Sequence, residues 1–208
     1  VLVTCQEAKD TEIWGPIPEE VYTISDSAPP TDAIILFDGS DLSKWKPRWG
    51  KDKSEWQINN DGSVTVVFDD TGGIETKENF GSVQLHVEWK TSEDTSFTNQ
   101  KRSNSGVFLQ GRYEIQILDS YKSPTYVNGQ AGSVYKQYIP LVNASRKPGE
   151  WQSYDIIFDA PKFNSDGKKI KSGYFTVFHN GVLIHNHVEI LGTTENVGPP
   201  KNISHGDG

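Results

Sequence analysis

The stretch SGVFLQGRYEIQILDSY, Ser105 to Tyr121, alternates residue by residue. Val107, Leu109, Gly111, Tyr113, Ile115 and Ile117 fall on one parity. Phe108, Gln110, Arg112, Glu114, Gln116 and Leu118 fall on the other. Successive side chains of a strand point to opposite faces, and alternate ones sit roughly 6.6–7 Å apart. Read as one strand, the segment lines up Gln110, Arg112, Glu114 and Gln116 over about 20 Å of a single face. Amides and a guanidinium hold hydroxyl groups in fixed directions, and a carboxylate accepts them or moves a proton. Such a row suits a sugar. Arg112 next to Glu114 favours the ionised carboxylate, which points to a base.

The spacing Glu114-x-Gln116-x-x-Asp119 is similar to the Glu-x-Asp-x-x-Glu strand of retaining β-glucanases. There, two carboxyl groups about 5–5.5 Å apart share a double displacement. Here the middle acid is an amide and the last is one methylene shorter. The likeness is therefore one of architecture, and a conventional glycosidase using Glu114 and Asp119 stays as an alternative.

Other polar residues cluster by spacing. Asn104-Ser105-Gly106 brings an amide and backbone donors to the entrance of the quoted segment. His86 and Glu88 share one parity of the run Val83–Trp89, and His185, His187 and Glu189 share one parity of Val182–Ile190. His-x-His on a strand is a metal-ligand pattern, but with no third and fourth ligand it reads better as a polar face. His205 stands outside any assignable strand, where a loop histidine at a site rim can exchange protons near neutral pH. The small-residue loop Gly129 to Tyr135 lacks the glycine spacing and the following helix of a phosphate cradle. Tyr135 ends that loop as a candidate sugar contact. No metal or cofactor is required by these residues, although a divalent metal would be compatible with them.

The elements that must position these groups are almost all strands. Val83–Trp89 alternates cleanly, Trp151–Phe158 reads as another strand, and Tyr174–His179 and Val182–Ile190 flank Asn180-Gly181, a strong hairpin signal. Asn60-Asp61-Gly62 turns a further hairpin within Glu55–Phe68, and Thr91–Ser103 is a long polar loop of the kind that often carries function. No helical period exceeds two turns. Short alternating strands joined by Gly, Asn and Asp turns predict an all-β fold, an antiparallel β-sandwich of jelly-roll type. Residues 1–32, rich in Pro and acids, read as an extended N-terminal arm, and residues 33–208 as the sugar-processing domain.

The 208 residues carry a net charge of −8, which disfavours nucleic acid and anionic membrane as partners, since both select basic surfaces. The one cysteine, Cys5, excludes an intrachain disulfide. Val1-Leu2-Val3-Thr4-Cys5 is similar to the end of a bacterial lipoprotein signal, so a lipid anchor through Cys5 and an exported, periplasmic or cell-surface location are expected.

The run from Asn104 to Tyr121, together with Leu36-Phe37-Asp38-Gly39, Asn128–Gly132, Pro140–Trp151 and His179–Val182, resembles the 3-keto-disaccharide hydrolase family. The resemblance spans about residues 10 to 206 and rests on long strings. It implies a concanavalin-like jelly roll in an exported bacterial protein that cleaves glycosides oxidised at C3. It also implies a further Gln-Asp-His-Gly segment and a final strand after His205-Gly206, beyond Asp207-Gly208, so that either this remainder lies outside the sequence or the sandwich is expected to lack a strand. The chemistry implied is proton removal from C2, loss of the C1 substituent, then hydration. Such a site needs a base, a donor at the ketone oxygen and an acid for the leaving group. The candidates are Glu114 as base, Arg112 or a bound metal at the enolate and His205 as leaving-group acid, with Asn104, Gln110, Gln116, Glu88 and Tyr135 as sugar contacts. The partners expected are a glycoside and an oxidoreductase that supplies its keto form. A carbohydrate-binding module with no catalysis would use the same face.

Overall fold

The computed structural model describes residues 7–25, 28–50, 54–67 and 72–207. Cys5 and Phe68 lie outside the described residues. The chain divides into two compact units, Val1–Thr76 and Lys77–Gly208.

In the first unit, β1 (Trp45–Pro47) pairs with a later strand, Ile74–Thr76, while β2 (Gln57–Ile58) pairs with β3 (Val64–Thr65). Ile74–Thr76 is β4. Gly62, at φ 78°, closes the β2–β3 turn expected at Asn60-Asp61-Gly62. The described part of residues 7–32 holds one 3-10 turn, Ala8–Thr11, and no strand.

The second unit is built on β5 (Val83–Lys90), β6 (Ser105–Leu109), β7 (Tyr113–Ile117), β8 (Trp151–Asp159), β9 (Lys162–Phe163), β10 (Lys169–Lys171), β11 (Tyr174–His179) and β12 (Val182–Glu189). Four of them form an antiparallel sheet in the order β12-β11-β8-β5. Alternation decides its buried face. Val83, Leu85, Val87 and Trp89 of β5, Tyr154, Ile156 and Phe158 of β8, and Phe175 and Val177 of β11 point one way and join one core. The β6–β7 hairpin forms the second layer and adds Leu109, Tyr113 and Ile115 to that core. Tyr113 meets Phe158 at 5.9 Å, and the Tyr154 hydroxyl donates to the Gln116 carbonyl at 2.7 Å across the layers. Burying each of these large side chains contributes about 1.5–3 kcal/mol. All-β architecture with antiparallel sheets is what the alternation predicted.

The turn at Asn180-Gly181 forms as expected. Both residues lie in the left-handed region, φ 52° and 77°, as a two-residue hairpin turn requires. The Asn180 side chain also accepts from the Ser153 amide at 3.0 Å and donates to the Ala144 carbonyl at 2.8 Å.

Two expectations are corrected. The segment Val107–Leu118 is not one strand. It folds back at Gln110 and Gly111, φ 51° and 62°, and the Arg112 amide donates to the Leu109 carbonyl. Nor do His185, His187 and Glu189 share a face. The β11–β12 register shifts between Phe175 and Phe178, and His187 adopts φ 49°. This bulge buries His185, whose Nε2 donates to the Gly132 carbonyl at 2.7 Å, and leaves His187 exposed, stacked at 4.2 Å on Tyr174.

Two buried histidines make the fold sensitive to acid. His179 lies against Trp89 and Tyr154, with Nε2 donating to Gln152 Oε1 at 2.8 Å. Burial, assisted by Arg146, lowers its pKa to about 4, and burial also lowers that of His185 against the pull of the Gly132 carbonyl. Both stay neutral when folded while the unfolded chain takes up protons below about pH 6.5. Stability is therefore full above that pH and falls as pH drops towards 4, by roughly 3 kcal/mol from His179 alone. Urea unfolding of wild type and His179→Phe between pH 7 and 4.5 tests this. The variant should show the shallower slope, and an equal slope would refute the assignment.

Candidate active site

The outward face of the β6–β7 hairpin collects the polar groups. Glu114 pairs across the ladder with Phe108, and Gln116 with Gly106. The far edge of β7 is bonded by the loop 132–135, through Gln116 to Ser133, Gly132 to Gln116 and Tyr135 to Glu114. Val134 takes the core side of that loop, so Tyr135 falls on the Glu114 side. The Glu114 amide donates to Thr194 Oγ1 at 3.0 Å. Glu114, 8 % exposed, is thus a largely buried carboxylate held in a rigid strand, which is how a precise proton-transfer group is usually mounted.

Gly106 makes the room. A Cβ there would stand 2.4 Å from Glu114 Oε1 and 2.9 Å from its Cγ. Gly106 has no left-handed φ, so alanine suits the backbone and only the carboxylate resists it. Gly106→Ala should fold but displace Glu114, with turnover falling about 10²-fold, as misplacement near 1 Å costs. A variant with wild-type kinetics would show that Glu114 need not sit where it does.

Gln116 orients the carboxylate. With its amide nitrogen towards Glu114, it donates to Oε1 at 3.2 Å and to the Ser105 carbonyl at 2.6 Å; reversed, its oxygen would meet only acceptors there. The Gln116 amide meets that of Gln100 at 3.1 Å. Gln100 belongs to a 3-10 turn, Asn99–Lys101, in the polar loop, and Asn104 donates to its carbonyl at 3.0 Å. On the other side the Tyr135 and Tyr126 hydroxyls lie 2.7 Å apart. Lys136 Nζ stands 5.3 Å from the Tyr135 ring and is held by the Asn196 carbonyl. Burial, the Tyr126 hydrogen bond and the Glu114 charge all raise the Tyr135 pKa, so its hydroxyl keeps its proton. A carboxylate beside a protonated phenol can take a proton at one atom and stabilise negative charge at a neighbouring one.

Of the expected residues, Glu114, Gln116, Asn104 and Tyr135 come together. Gln110 and Arg112 do not extend the row, because they form the hairpin turn. Gln110 is buried and donates to the Phe80 carbonyl and Asp207 Oδ1, both at 3.3 Å, and Arg112 donates to the Gln110 carbonyl at 3.3 Å. Glu88 is exposed on the solvent face of β5, pointing opposite to Val87 and Trp89, which enter the core. His205 lies on the core side of β7. Its Nδ1 donates to the Gly206 carbonyl and its Nε2 is 2.6 Å from the Tyr113 hydroxyl, a residue alternate in the strand to Glu114. Burial pushes Tyr113 up to about 12. Asp119 is buried and bound by Arg102, whose Nε donates to Oδ2 at 2.9 Å and whose Nη2 reaches the same oxygen.

Gln100, Tyr126, Lys136 and Thr194 were missed. The signal for Gln100 was its place in the long polar loop, whereas Tyr126 and Thr194 had none in spacing. Among the described residues no three His, Cys, Asp or Glu side chains converge as a metal-ligand set.

Residues 32–206 match the model of the 3-keto-alpha-glucoside-1,2-lyase-like domain. No curated protein matches. Among solved structures, a protein of Parabacteroides distasonis named as a candidate glycosyl hydrolase is 47% identical, with TM-score 0.91 over 97% of this chain and 86% of that one. A second protein of that organism, named likewise, is 22% identical, with TM-score 0.53 over 73% and 70% of the two chains, and speaks to the fold alone. The chain belongs to the 3-keto-alpha-glucoside-1,2-lyase-like domain family.

Proposed function

We propose that this protein is a glycoside hydrolase-like enzyme that cleaves glycosides carrying a ketone at C3, by elimination followed by hydration. The observation that carries the reading is one buried carboxylate, Glu114, set by Gly106 and Gln116 beside a protonated Tyr135. The ketone acidifies the C2 proton, which Glu114 removes. The electron pair passes into the enolate, then forms the C1–C2 double bond as the C1–O bond breaks. The leaving oxygen takes a proton, for which we assign the Tyr135 hydroxyl, the phenol whose pKa burial, Tyr126 and the Glu114 charge raise. We assign the enolate oxygen to the Arg112 guanidinium, which stands at the hairpin turn two residues before Glu114 and would have to leave the Gln110 carbonyl to reach it. Water then adds its hydroxyl to C1 and a proton to C2. Since the enzyme consumes an oxidised sugar, an oxidoreductase acting at C3 must supply it.

A double displacement by Glu114 and Asp119 is disfavoured, because Arg102 occupies Asp119. The test is incubation in D2O with a 3-keto-glucoside and with its unoxidised parent. Only the keto substrate should be cleaved, with deuterium appearing at C2 of the sugar released. Equal cleavage of both, or release without deuterium, would replace elimination by direct hydrolysis. Binding with no cleavage would make the protein a carbohydrate-binding module.

A further inference from the structure

One stretch of the chain shows far more apolar surface than the chemistry uses. In the N-terminal arm, Ile13, Trp14, Ile17 and Ile24 are each at least 85% exposed, and Val21 and Tyr22 are exposed beside them. At about 150 Å² for a large apolar side chain, the six present on the order of 700 Å². Monomeric proteins rarely show a patch beyond about 300–600 Å², and larger ones mark interaction sites. The backbone is equally open. Thr31 ties the arm at Tyr22, its amide donating to the Tyr22 carbonyl at 3.0 Å. Among the described residues, no backbone hydrogen bond holds residues 13–21. Acids stand around the apolar groups: Asp10, Glu12, Glu19 and Glu20, all exposed. The lysine there, Lys9, is already paired with Glu7 at 2.6 Å.

We infer that this arm docks on a second copy of the chain, against the β9–β10 ribbon, and that the protein is a dimer exchanging its two arms. The ribbon has the complementary character. Although the chain carries a net charge of −8, residues 162–171 hold Lys162, Lys168, Lys169 and Lys171 with one acid, Asp166. Among them Ile170 is 65% exposed, and Lys162, Lys168 and Lys171 are exposed around it. Lysine stems pack on apolar side chains while their ammonium groups reach for carboxylates. A lysine over the Trp14 ring adds a cation–π contact. Among the described residues, β9 and β10 pair with each other and with no further strand, so the ribbon offers an open border to an extended chain. The twelve residues from Ile13 to Ile24 span up to about 40 Å when extended, enough to cross the face of a neighbouring copy. Because one chain carries both the acidic arm and the basic ribbon, a two-fold axis satisfies both contacts at once. With its ribbon added to its arm, each copy supplies the roughly 800 Å² of a standard interface.

Sedimentation of the whole chain at micromolar concentration, with a reductant so that Cys5 cannot cross-link, should show a dimer. Trp14→Ser combined with Ile17→Ser, and separately Ile170→Glu, should each raise the dimer Kd about thirtyfold or more, the worth of a lost anchor. All three side chains are exposed in the single chain, so the fold should survive, which an unchanged circular dichroism spectrum checks. Exchanging charges identifies the pairing. Glu19→Lys with Glu20→Lys should weaken the dimer, and adding Lys168→Glu with Lys171→Glu should restore it. A monomeric wild type, or a dimer that either apolar variant leaves intact, overturns the inference. Exchanged charges that fail to restore the dimer would move the arm off the ribbon and overturn it too. Wild-type monomers that co-sediment with phosphatidylcholine vesicles would give the arm to a lipid surface instead, with the same consequence. None of the substituted residues belongs to the site around Glu114, so the result stands whatever the cleavage assays give.

Discussion

Glu114→Gln should lower kcat on a 3-keto-glucoside by roughly 10²–10⁴-fold, the usual worth of a positioned acid or base. The substitution keeps shape and volume, and a glutamine oxygen can still accept from the Gln116 amide that now serves Glu114 Oε1. KM should therefore change little and folding should survive. That split matters, because removal of a sugar contact would raise KM while removal of a base lowers kcat. A kcat within tenfold of wild type would show that another group takes the C2 proton.

Breaking the Arg102–Asp119 pair should give the largest loss of stability. Asp119 is 2% exposed and receives both Nε and Nη2 of Arg102, and the backbones also bond, Asp119 amide to Arg102 carbonyl at 3.0 Å. Removing one partner leaves a buried charge with no counterpart, which costs about 3–5 kcal/mol. Arg102→Leu, which strands the carboxylate, should be worse than Asp119→Asn, which retains an acceptor for the guanidinium. Chemical unfolding of both variants measures the difference. Asp119→Asn also speaks to mechanism. Where it folds, it should cleave the keto substrate at a rate near wild type, whereas a nucleophilic or acid role for Asp119 would abolish turnover.

The strands were legible because alternation and burial coincide. β5, β8 and the β11–β12 hairpin could be read from Val83–Trp89, Trp151–Phe158 and Asn180-Gly181. The turn inside Ser105–Tyr121 was hidden for a definite reason. Leu109 pairs with Tyr113, four residues on, so both point to the core and the alternation runs through the turn in phase. Gly111 was the only mark of it. The histidines of β12 misled in the opposite way, because a bulge breaks the parity that spacing assumes. At the site, residues on β7 and its flanks were readable, as Glu114, Gln116 and Asn104 are close in sequence. Gln100 and Tyr126 reach the same place through tertiary contacts between residues 16 or more positions apart, or through a loop with no period, and periodicity carries no trace of those.

The irregularity in β12 has a meaning beyond the two histidines. β12 ends the row β12-β11-β8-β5, so one side of it faces away from the sheet with a line of backbone donors and acceptors. Such a border invites another chain to add a strand and so to aggregate. Here the Leu141 amide already takes the Ile184 carbonyl at 2.9 Å, and the left-handed backbone at His187 twists the end of the strand out of straight register. No long flat template remains along that side. The broken ladder thus guards solubility, and straightening it would be expected to expose the protein to self-association before it touched the chemistry.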